Sequence, residues 1–234
     1  CHCLVGSEMC IRDRLYDENK NFMLFLFRDN YKSIAELSAK ELRLGGLRID
    51  PKTNIGSRVT YYNNVKIRNL KNQKSEITQV KGLPKNPKLS NISWSPDQKR
   101  IALTNTTETG VELWVLELEN GSVTKLTEPN LNSNIGSVIN WFSDSENMLV
   151  KMISNNRRPL IDTNKIVPDG PTISTNFGEK AQNRTYQDLL KNKFDEHNFE
   201  QLSTSSIYKV SIDGSVKKWM DDGMYRTISF SPNG

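Results

Sequence analysis

The amino-acid sequence predicts an all-β protein made of β-propeller blades, each a four-stranded antiparallel sheet, in an incomplete propeller with a short helical insert. The first observation is a recurring phrase: Trp94-Ser95-Pro96-Asp97, then Trp141-Phe142-Ser143-Asp144, then Phe230-Ser231-Pro232-Asn233. The second is that the first two copies run into the apolar strand patterns Arg100–Leu103 and Asn147–Val150. An aromatic residue, a tight turn and a buried strand, repeated at roughly 40 to 50 residues, are typical of propeller blades.

The start of the chain differs in composition from the rest. Residues 1–14 hold all three cysteines and one of the two histidines, and Glu8 to Arg14 resembles a translated sequencing adapter. The cysteines could instead suggest a metal site, but metal ligands are usually separated by two or more residues and no second half of a site follows. We therefore predict a non-native leader over 1–14, the N-terminal part of a propeller domain over 15–234, and no metal.

Composition argues against a nucleic-acid partner and against a membrane span. The net charge of +5 is spread along the chain, whereas a nucleic-acid surface gathers basic and aromatic residues on one face, so we expect no nucleic-acid partner. The apolar run Phe22–Phe27 has the length of a strand, far short of the roughly 20 residues that a membrane span needs. We expect no membrane span.

Three elements are predicted before the first copy of the phrase. Phe22–Phe27 has the pattern of a strand, and Ser33–Leu44 has helical spacing up to Gly45-Gly46, which would end the helix. Val59–Tyr62 and Val65–Ile67 predict a hairpin around Asn63-Asn64, a pair that tolerates the turn's positive φ angles.

The clearest blade lies between Asn91 and Leu126. In its third strand Val111, Leu113 and Val115 alternate with other residues, as they do in an antiparallel strand. Its four predicted strands are Asn91–Trp94, Ile101–Thr104, Val111–Leu118 and Val123–Leu126, and Ile207–Val210 with Val216–Trp219 repeat the last two.

An irregular segment, about residues 157–204, interrupts the β pattern. Prolines and glycine between Pro159 and Pro171 favour an extended path, and Thr185–Gln201 predicts a helix with its apolar residues on one side. Because insertions on a regular scaffold often carry function, this helical insert is where we expect it.

Catalytic machinery is not recognisable in the sequence. It has no Gly-x-Ser-x-Gly nucleophile elbow, and His197 lies on a polar helix face, where a surface role is the expected one. Phosphate-binding glycine loops are absent as well. The sequence therefore predicts no catalytic residue and no cofactor.

Two longer stretches resemble a known family. Glu36–Asp50, followed by Asn54 and Ser57-Arg58, is similar to the opening of the glutamyl endopeptidases, which belong to the prolyl oligopeptidase superfamily of serine peptidases. A second stretch resembles the insert of the same family, and the two stretches occur in the family's order. Its matching pieces are Pro159-Leu160, Val167–Pro171, Arg184–Lys191 and Asp195-Glu196. The resemblance covers about residues 15–234.

The resemblance implies a parent protein in which a C-terminal α/β-hydrolase domain, absent from this chain, supplies a Ser-His-Asp triad in cis. In such enzymes the propeller restricts access to peptides or unfolded protein segments, and family members prefer to cut after glutamate. The expected function is thus the substrate-gating propeller portion of a serine endopeptidase, with a peptide substrate as partner. The fragment itself would not be catalytic. Because its propeller is cut after a few blades, exposed sheet edges would also make it aggregate.

A glutamate side chain in a shielded pocket needs a cation, and a guanidinium binds a carboxylate through two parallel hydrogen bonds. Arg157, Arg158 and Arg184 flank the insert, so Arg158 and Arg184 are the hypothetical substrate-binding residues, with Tyr186 as a packing or hydrogen-bonding neighbour. The alternative is that these arginines hold the insert to the propeller.

A function of another class stays open: a stand-alone propeller that binds a protein partner in the cell envelope. The sequence that follows Gly234 in the gene discriminates between the two, because a hydrolase domain favours the peptidase and further blades favour the binding protein. Asparagine- and lysine-rich usage hints at a bacterial source. The compartment is undetermined, with the periplasm or secretion as options for a bacterial protein.

Overall fold

The computed structural model describes residues 11–72, 74–162, 170, 177–178 and 188–231. Strands dominate these ranges, with two short helices, α1 (Ile34–Leu37) and α2 (Lys193–Ser203). The strands are β1 (Ile11–Tyr16), β2 (Phe22–Phe27), β3 (Leu42–Leu44), β4 (Leu47–Asp50), β5 (Ile55–Gly56), β6 (Asn64–Asn69), β7 (Thr78–Gln79), β8 (Leu89–Trp94), β9 (Arg100–Thr106), β10 (Val111–Glu117), β11 (Ser122–Lys125), β12 (Ile139–Trp141), β13 (Asn147–Ile153), β14 (Ser205–Ser211) and β15 (Val216–Gly223). Neither helix is long and apolar enough to cross a membrane, a finding that covers the described residues.

Three of the sheets have four strands each, and in all three the strands follow one another in chain order. The first is β1-β2-β6-β7, the second β8-β9-β10-β11 and the third β12-β13-β14-β15, and every pairing in them is antiparallel. Up-and-down four-stranded sheets of this kind are propeller blades. The predicted fold class, all-β with four-stranded blades and a short helical insert, is confirmed.

Both faces of the second sheet are buried, because successive side chains of a strand point to opposite faces. Val111, Leu113 and Val115 pack into an apolar core shared with the third sheet. Leu116 and Leu118 pack into another core shared with the first sheet. Each fully buried leucine or valine contributes roughly 1.5–3 kcal/mol, so the alternation predicted for this strand also stacks the sheets face to face.

The first two copies of the recurring phrase form neighbouring turns at one end of the sheets. The Ser95 hydroxyl donates to Asp97 Oδ1 over 2.6 Å and closes the first turn. The main-chain N–H of Asp97 donates to Ser145 Oγ in the second turn, over 2.9 Å, and Trp141 Nε1 donates to the Ser93 carbonyl. The phrase therefore joins the second and third sheets as well as shaping each turn.

Long insertions leave the first and third sheets between their second and third strands. The first insertion, residues 28–63, connects β2 to β6 and contains α1 and the small sheet β3-β4-β5. The second insertion, residues 154–204, connects β13 to β14 and contains α2. The second sheet has only a tight turn at this position, between Thr106 and Val111.

Two local predictions in the first insertion were wrong. The predicted helix Ser33–Leu44 is a single helical turn, Ile34–Leu37, because Leu42–Leu44 instead pairs with Leu47–Ile49 as a hairpin around Gly45-Gly46. The predicted hairpin around Asn63-Asn64 does not form either. Asn64–Asn69 pairs with β2, and Tyr62 makes an isolated bridge to Leu89.

The helix of the second insertion is shorter at its start than predicted. It begins after Asn192, whose side chain accepts the N–H groups of Phe194 and Asp195, and it runs to Ser203. Thr185 lies outside the described residues. At the other end of the chain, β1 includes Ile11 to Arg14, so it overlaps the segment assigned to a leader. That assignment stays a prediction, and Cys1, His2, Cys3 and Cys10 lie outside the described residues.

Candidate functional site

The two insertions pack against each other at the end of the sheets opposite the recurring turns. Both begin where a second strand ends, at Phe27 and at Ile153, and they are joined by a hydrogen bond of 3.1 Å from the Gly46 N–H to the Asp188 carbonyl. We call this unit the insertion platform, meaning the described parts of residues 28–63 and 154–204.

An apolar core of its own holds the insertion platform together. Leu44 and Ile49 of the first insertion pack with Leu202 of α2 in this core, and Phe199 covers it from the helix. The ring of Phe199 lies against Gly45, which has a φ of +57°, and a Cβ at this position would be only 3.0 Å from the ring. Both the backbone conformation and the close contact favour glycine at this position.

Ion pairs tie the same two insertions at their margin. Arg48 Nε lies 3.4 Å from Asp188 Oδ2, and Arg48 Nη1 lies 3.3 Å from Glu41 Oε1. A hydrogen bond of 2.7 Å from the Ser57 hydroxyl, with help from Arg43 and Arg48, lowers the pKa of Glu41. The platform margin is therefore charged at neutral pH, with its charges in contact.

The C-terminal end of α2 is held by side-chain amides from outside the helix. Asn132 and Asn134, which lie between the second and third sheets, donate to the Leu202 carbonyl over 2.9 and 2.7 Å. Asn54 of the first insertion donates to the same oxygen over 3.4 Å. The last carbonyls of a helix have no partner within it, so these amides fix α2 to the sheets.

Of the three predicted substrate-binding residues, the structure describes one. Arg158 is described: its main-chain N–H donates to Gln201 Oε1 over 2.8 Å, and its side chain, 62% exposed, lies 3.5 Å from Glu200. Arg184 and Tyr186 lie outside the described residues. His197 Nε2 lies 3.1 Å from the Pro159 carbonyl, a contact that joins α2 to the segment that follows β13.

Arg157, the neighbour of Arg158, has a different environment. Its guanidinium is half-buried, burial lowers its pKa, and no carboxylate among the described residues forms an ion pair with it. Both arginines line a cavity of about 170 Å³ together with Glu200 and Asp222. The lining of this cavity thus includes two arginines as well as two carboxylates, and a guanidinium is the group that binds a carboxylate ligand best.

A second, larger cavity of about 420 Å³ lies at the base of the first insertion. We call it the Arg28 cleft; its lining includes Arg28, Lys32, Asn63 and Lys88. These residues belong to three segments, after β2, before β6 and before β8. The sequence analysis missed them because no motif marks them, and only the folding of the insertion brings them together.

Sequence comparison finds relatives for nearly the whole chain. It is 28% identical over 230 residues to "Probable glutamyl endopeptidase, chloroplastic" of Oryza sativa subsp. japonica, which covers 93% of this chain and 24% of that protein. It is 30% identical over 229 residues to the protein of the same name from Arabidopsis thaliana, covering 91% and 23%. The chain spans about a quarter of the length of these curated relatives. No family model matches it.

Solved structures similar to this chain include two from Pyrococcus species. An acylaminoacyl peptidase of Pyrococcus horikoshii matches with 18% identity and a TM-score of 0.37, over 87% of this chain and 23% of that one. The β-propeller domain of the Trilobed protease from Pyrococcus furiosus matches with 16% identity and a TM-score of 0.32, over 93% and 58%. Because both TM-scores are below 0.5, the fold assignment rests on the sheets themselves. By sequence, this chain is similar to two proteins named probable glutamyl endopeptidases, which is the resemblance that its two long stretches indicate.

Proposed function

We propose that the chain is the substrate-gating propeller portion of a serine endopeptidase that cleaves peptides after glutamate. The observation that carries the proposal is the similarity of more than nine-tenths of the chain to two proteins named glutamyl endopeptidases. In this proposal the chain is not itself catalytic. A hydrolase domain C-terminal to it supplies the serine that attacks the peptide carbonyl, the histidine that moves the proton and the N–H groups that hold the oxyanion.

The insertion platform supports the gating role. It gathers both long insertions at one end of the blades, and its apolar core and ion pairs connect the first sheet to the third. Loops on one face of a rigid scaffold are where binding residues are commonly found. In the proposed enzyme this end faces the hydrolase domain and limits which peptides reach the serine.

Glutamate preference is assigned in this proposal to Arg158 and Arg184, with Tyr186 beside them. The Arg158–Glu200 pair is largely exposed, and such surface pairs contribute about 0–1 kcal/mol, so a substrate carboxylate can displace Glu200 at little cost. Arg157, half-buried and without an ion pair to a described carboxylate, would strengthen binding of an anionic side chain.

The test begins with the complete reading frame. The encoded protein is incubated with peptides that differ only in a glutamate or a glutamine before the scissile bond, and with a fluorophosphonate that labels active serines. Labelling and preferential cleavage after glutamate are expected. Further blades downstream without a nucleophile elbow, together with no cleavage, would contradict the proposal and leave the partner-binding propeller of the cell envelope.

Arginine variants of the same protein test the specificity. Arg158→Ala and Arg184→Ala should each lower kcat/KM for the glutamate peptide by about 10- to 100-fold, the effect of losing a charged hydrogen bond, and leave the glutamine peptide nearly unchanged. Arg58→Ala, an exposed arginine of the first insertion, is the matched control. An Arg184→Ala enzyme that keeps its glutamate preference rules out that role for Arg184. If the arginines only hold the insert, both peptides lose activity together.

A further inference from the structure

The Arg28 cleft has the size and position of a ligand site. Its volume of about 420 Å³ falls in the usual range for small-ligand and peptide side-chain pockets, roughly 300–1,000 Å³. All of its walls lie at the platform end of the sheets, because Arg28 follows β2, Asn63 precedes β6 and Lys88 precedes β8. It is separate from the cavity at Arg157 and Arg158, which belongs to the second insertion.

Two polar atoms of this cleft have no hydrogen-bond partner among the described residues. Arg28 Nε is a buried donor and Asn63 Oδ1 a buried acceptor, and both are unpaired. The amide nitrogen of Asn63 has a partner, since Nδ2 donates to Asp29 Oδ1 over 3.1 Å. This bond sets the orientation of the amide, so the oxygen Oδ1 is the unpaired atom. Leaving such buried groups unpaired costs about 1–3 kcal/mol each, which a ligand in the cleft recovers when these two side chains turn toward it.

The charges around the cleft favour an anion. Three cations line it, Arg28, Lys32 and Lys88, against the carboxylates of Asp29 and Glu36. Glu36 already lies 3.5 Å from Lys88 and accepts hydrogen bonds from the N–H and hydroxyl groups of Ser33. Neither Arg28 nor Lys32 has an ion pair with any carboxylate of the described chain.

We propose that the Arg28 cleft binds a carboxylate of a polypeptide segment, with the guanidinium of Arg28 on the carboxylate and Asn63 Oδ1 accepting a main-chain N–H of the same segment. An unpaired donor of fixed charge and an unpaired acceptor in one cleft match an acidic residue and the peptide group next to it. Lys32 adds charge at the rim. This binding needs no peptidase chemistry, so the inference goes beyond the proposed function and does not depend on it.

The test measures peptide binding by titration calorimetry with the protein from the complete reading frame, after treatment with a serine-hydrolase inhibitor. The protein carries Arg158→Ala and Arg184→Ala, so that the proposed specificity arginines do not contribute. Three seven-residue peptides are compared: one with a central glutamate and blocked ends, one with glutamine and blocked ends, and the glutamine peptide with a free C-terminal carboxylate. We expect the first peptide to bind at least tenfold more tightly than the second. The third distinguishes a side-chain from a terminal carboxylate.

Variants then locate the binding site. Arg28→Gln should reduce the tenfold difference to less than twofold, and Lys32→Gln, a change of an exposed side chain that should not disturb folding, should weaken the glutamate peptide several-fold. Arg58→Gln, outside the cleft, should change neither value. Equal binding of the glutamate and glutamine peptides by the protein with Arg28 intact, no binding of either, or full discrimination in a folded Arg28→Gln protein would each overturn the proposal.

The two proposals fail separately in these assays. A protein that binds the glutamate peptide through Arg28 but cleaves nothing would remove the peptidase function and keep the cleft. A protein that cleaves after glutamate but whose peptide affinity does not respond to Arg28→Gln would keep the peptidase function and remove the cleft.

Discussion

The side-chain amide of Asn132 donates a hydrogen bond of 2.9 Å to the main-chain carbonyl of Leu202, 70 residues further along the chain. The same amide also donates to the Thr204 carbonyl over 3.1 Å. This asparagine, in the link between the second and third sheets, therefore ends α2 and fastens the second insertion to the blades.

Replacing Asn132 should loosen that attachment. Asn132→Ala removes a donor from the buried Leu202 carbonyl and from the partly buried Thr204 carbonyl, so we expect a loss of about 1–3 kcal/mol in the local stability of α2. Peptide-resolved hydrogen exchange measures it as faster exchange across Lys193–Ser203. Asn130→Ala, an exposed asparagine in the same link, is the control. Unchanged exchange in the Asn132 variant would show that Asn54 and Asn134 are sufficient.

The ion pairs of Arg48 should govern how firmly the two insertions hold each other. Arg48→Ala leaves Glu41 and Asp188 without their shared, largely buried cation, so we expect chymotrypsin to cut the second insertion several-fold faster. Arg43→Ala removes an arginine that is 55% exposed and should have little effect. Equal cleavage rates in the two variants would mean that the apolar core alone holds the platform.

Stability should rise with pH above neutrality because of Lys151. This lysine is fully buried, its Nζ contacts the carbonyls of Ile135 and Tyr225, and burial lowers its pKa to about 8. The unfolded chain has an ordinary lysine pKa, near 10.4, so between about pH 8 and 10 it binds more protons than the folded one. The penalty for burying the charge is complete below pH 8 and is relieved as pH rises.

Denaturant titrations at pH 7.5 and 10 measure this effect. Between pH 7.5 and pH 10 the free energy of unfolding of the wild type should rise relative to that of Lys151→Met, by an amount on the order of 1–3 kcal/mol. Lys217→Met, which removes an exposed lysine, should follow the wild type. A Lys151→Met protein with the same pH dependence as the wild type would show that the amine is not the group responsible.

Self-association of the isolated 234-residue chain should depend on its last strand. Val216, Trp219 and Met220 of β15 are each about half exposed, and Trp219 also contacts Phe142 edge to face. Exposed apolar strands promote edge and face contacts between molecules. Light scattering should show oligomers of the wild-type chain and fewer of a Met220→Lys variant. A monomeric wild-type chain that melts cooperatively would contradict the prediction.

The sequence by itself determined the blades. Val111, Leu113 and Val115 specify a strand because the two-residue period of side chains is local, and the turn of the recurring phrase is closed by Ser95 and Asp97, two residues apart. The similarity to glutamyl endopeptidases was likewise readable, since the long stretches Glu36–Asp50 and Arg184–Lys191 resemble that family. These signals lie within single segments, so the residues alone carry them.

Only the tertiary structure decided the insertions. Leu42–Leu44 has a helical pattern in sequence, but its pairing with Leu47–Ile49 and its packing on α2 outweigh that weak local preference. Arg28, Asn63 and Lys88 carry no motif. They line one cleft because three segments, far apart in sequence, flank strands at the same end of the sheets. Contacts between residues so far apart in sequence depend on long-range packing, which leaves no periodic trace in the chain.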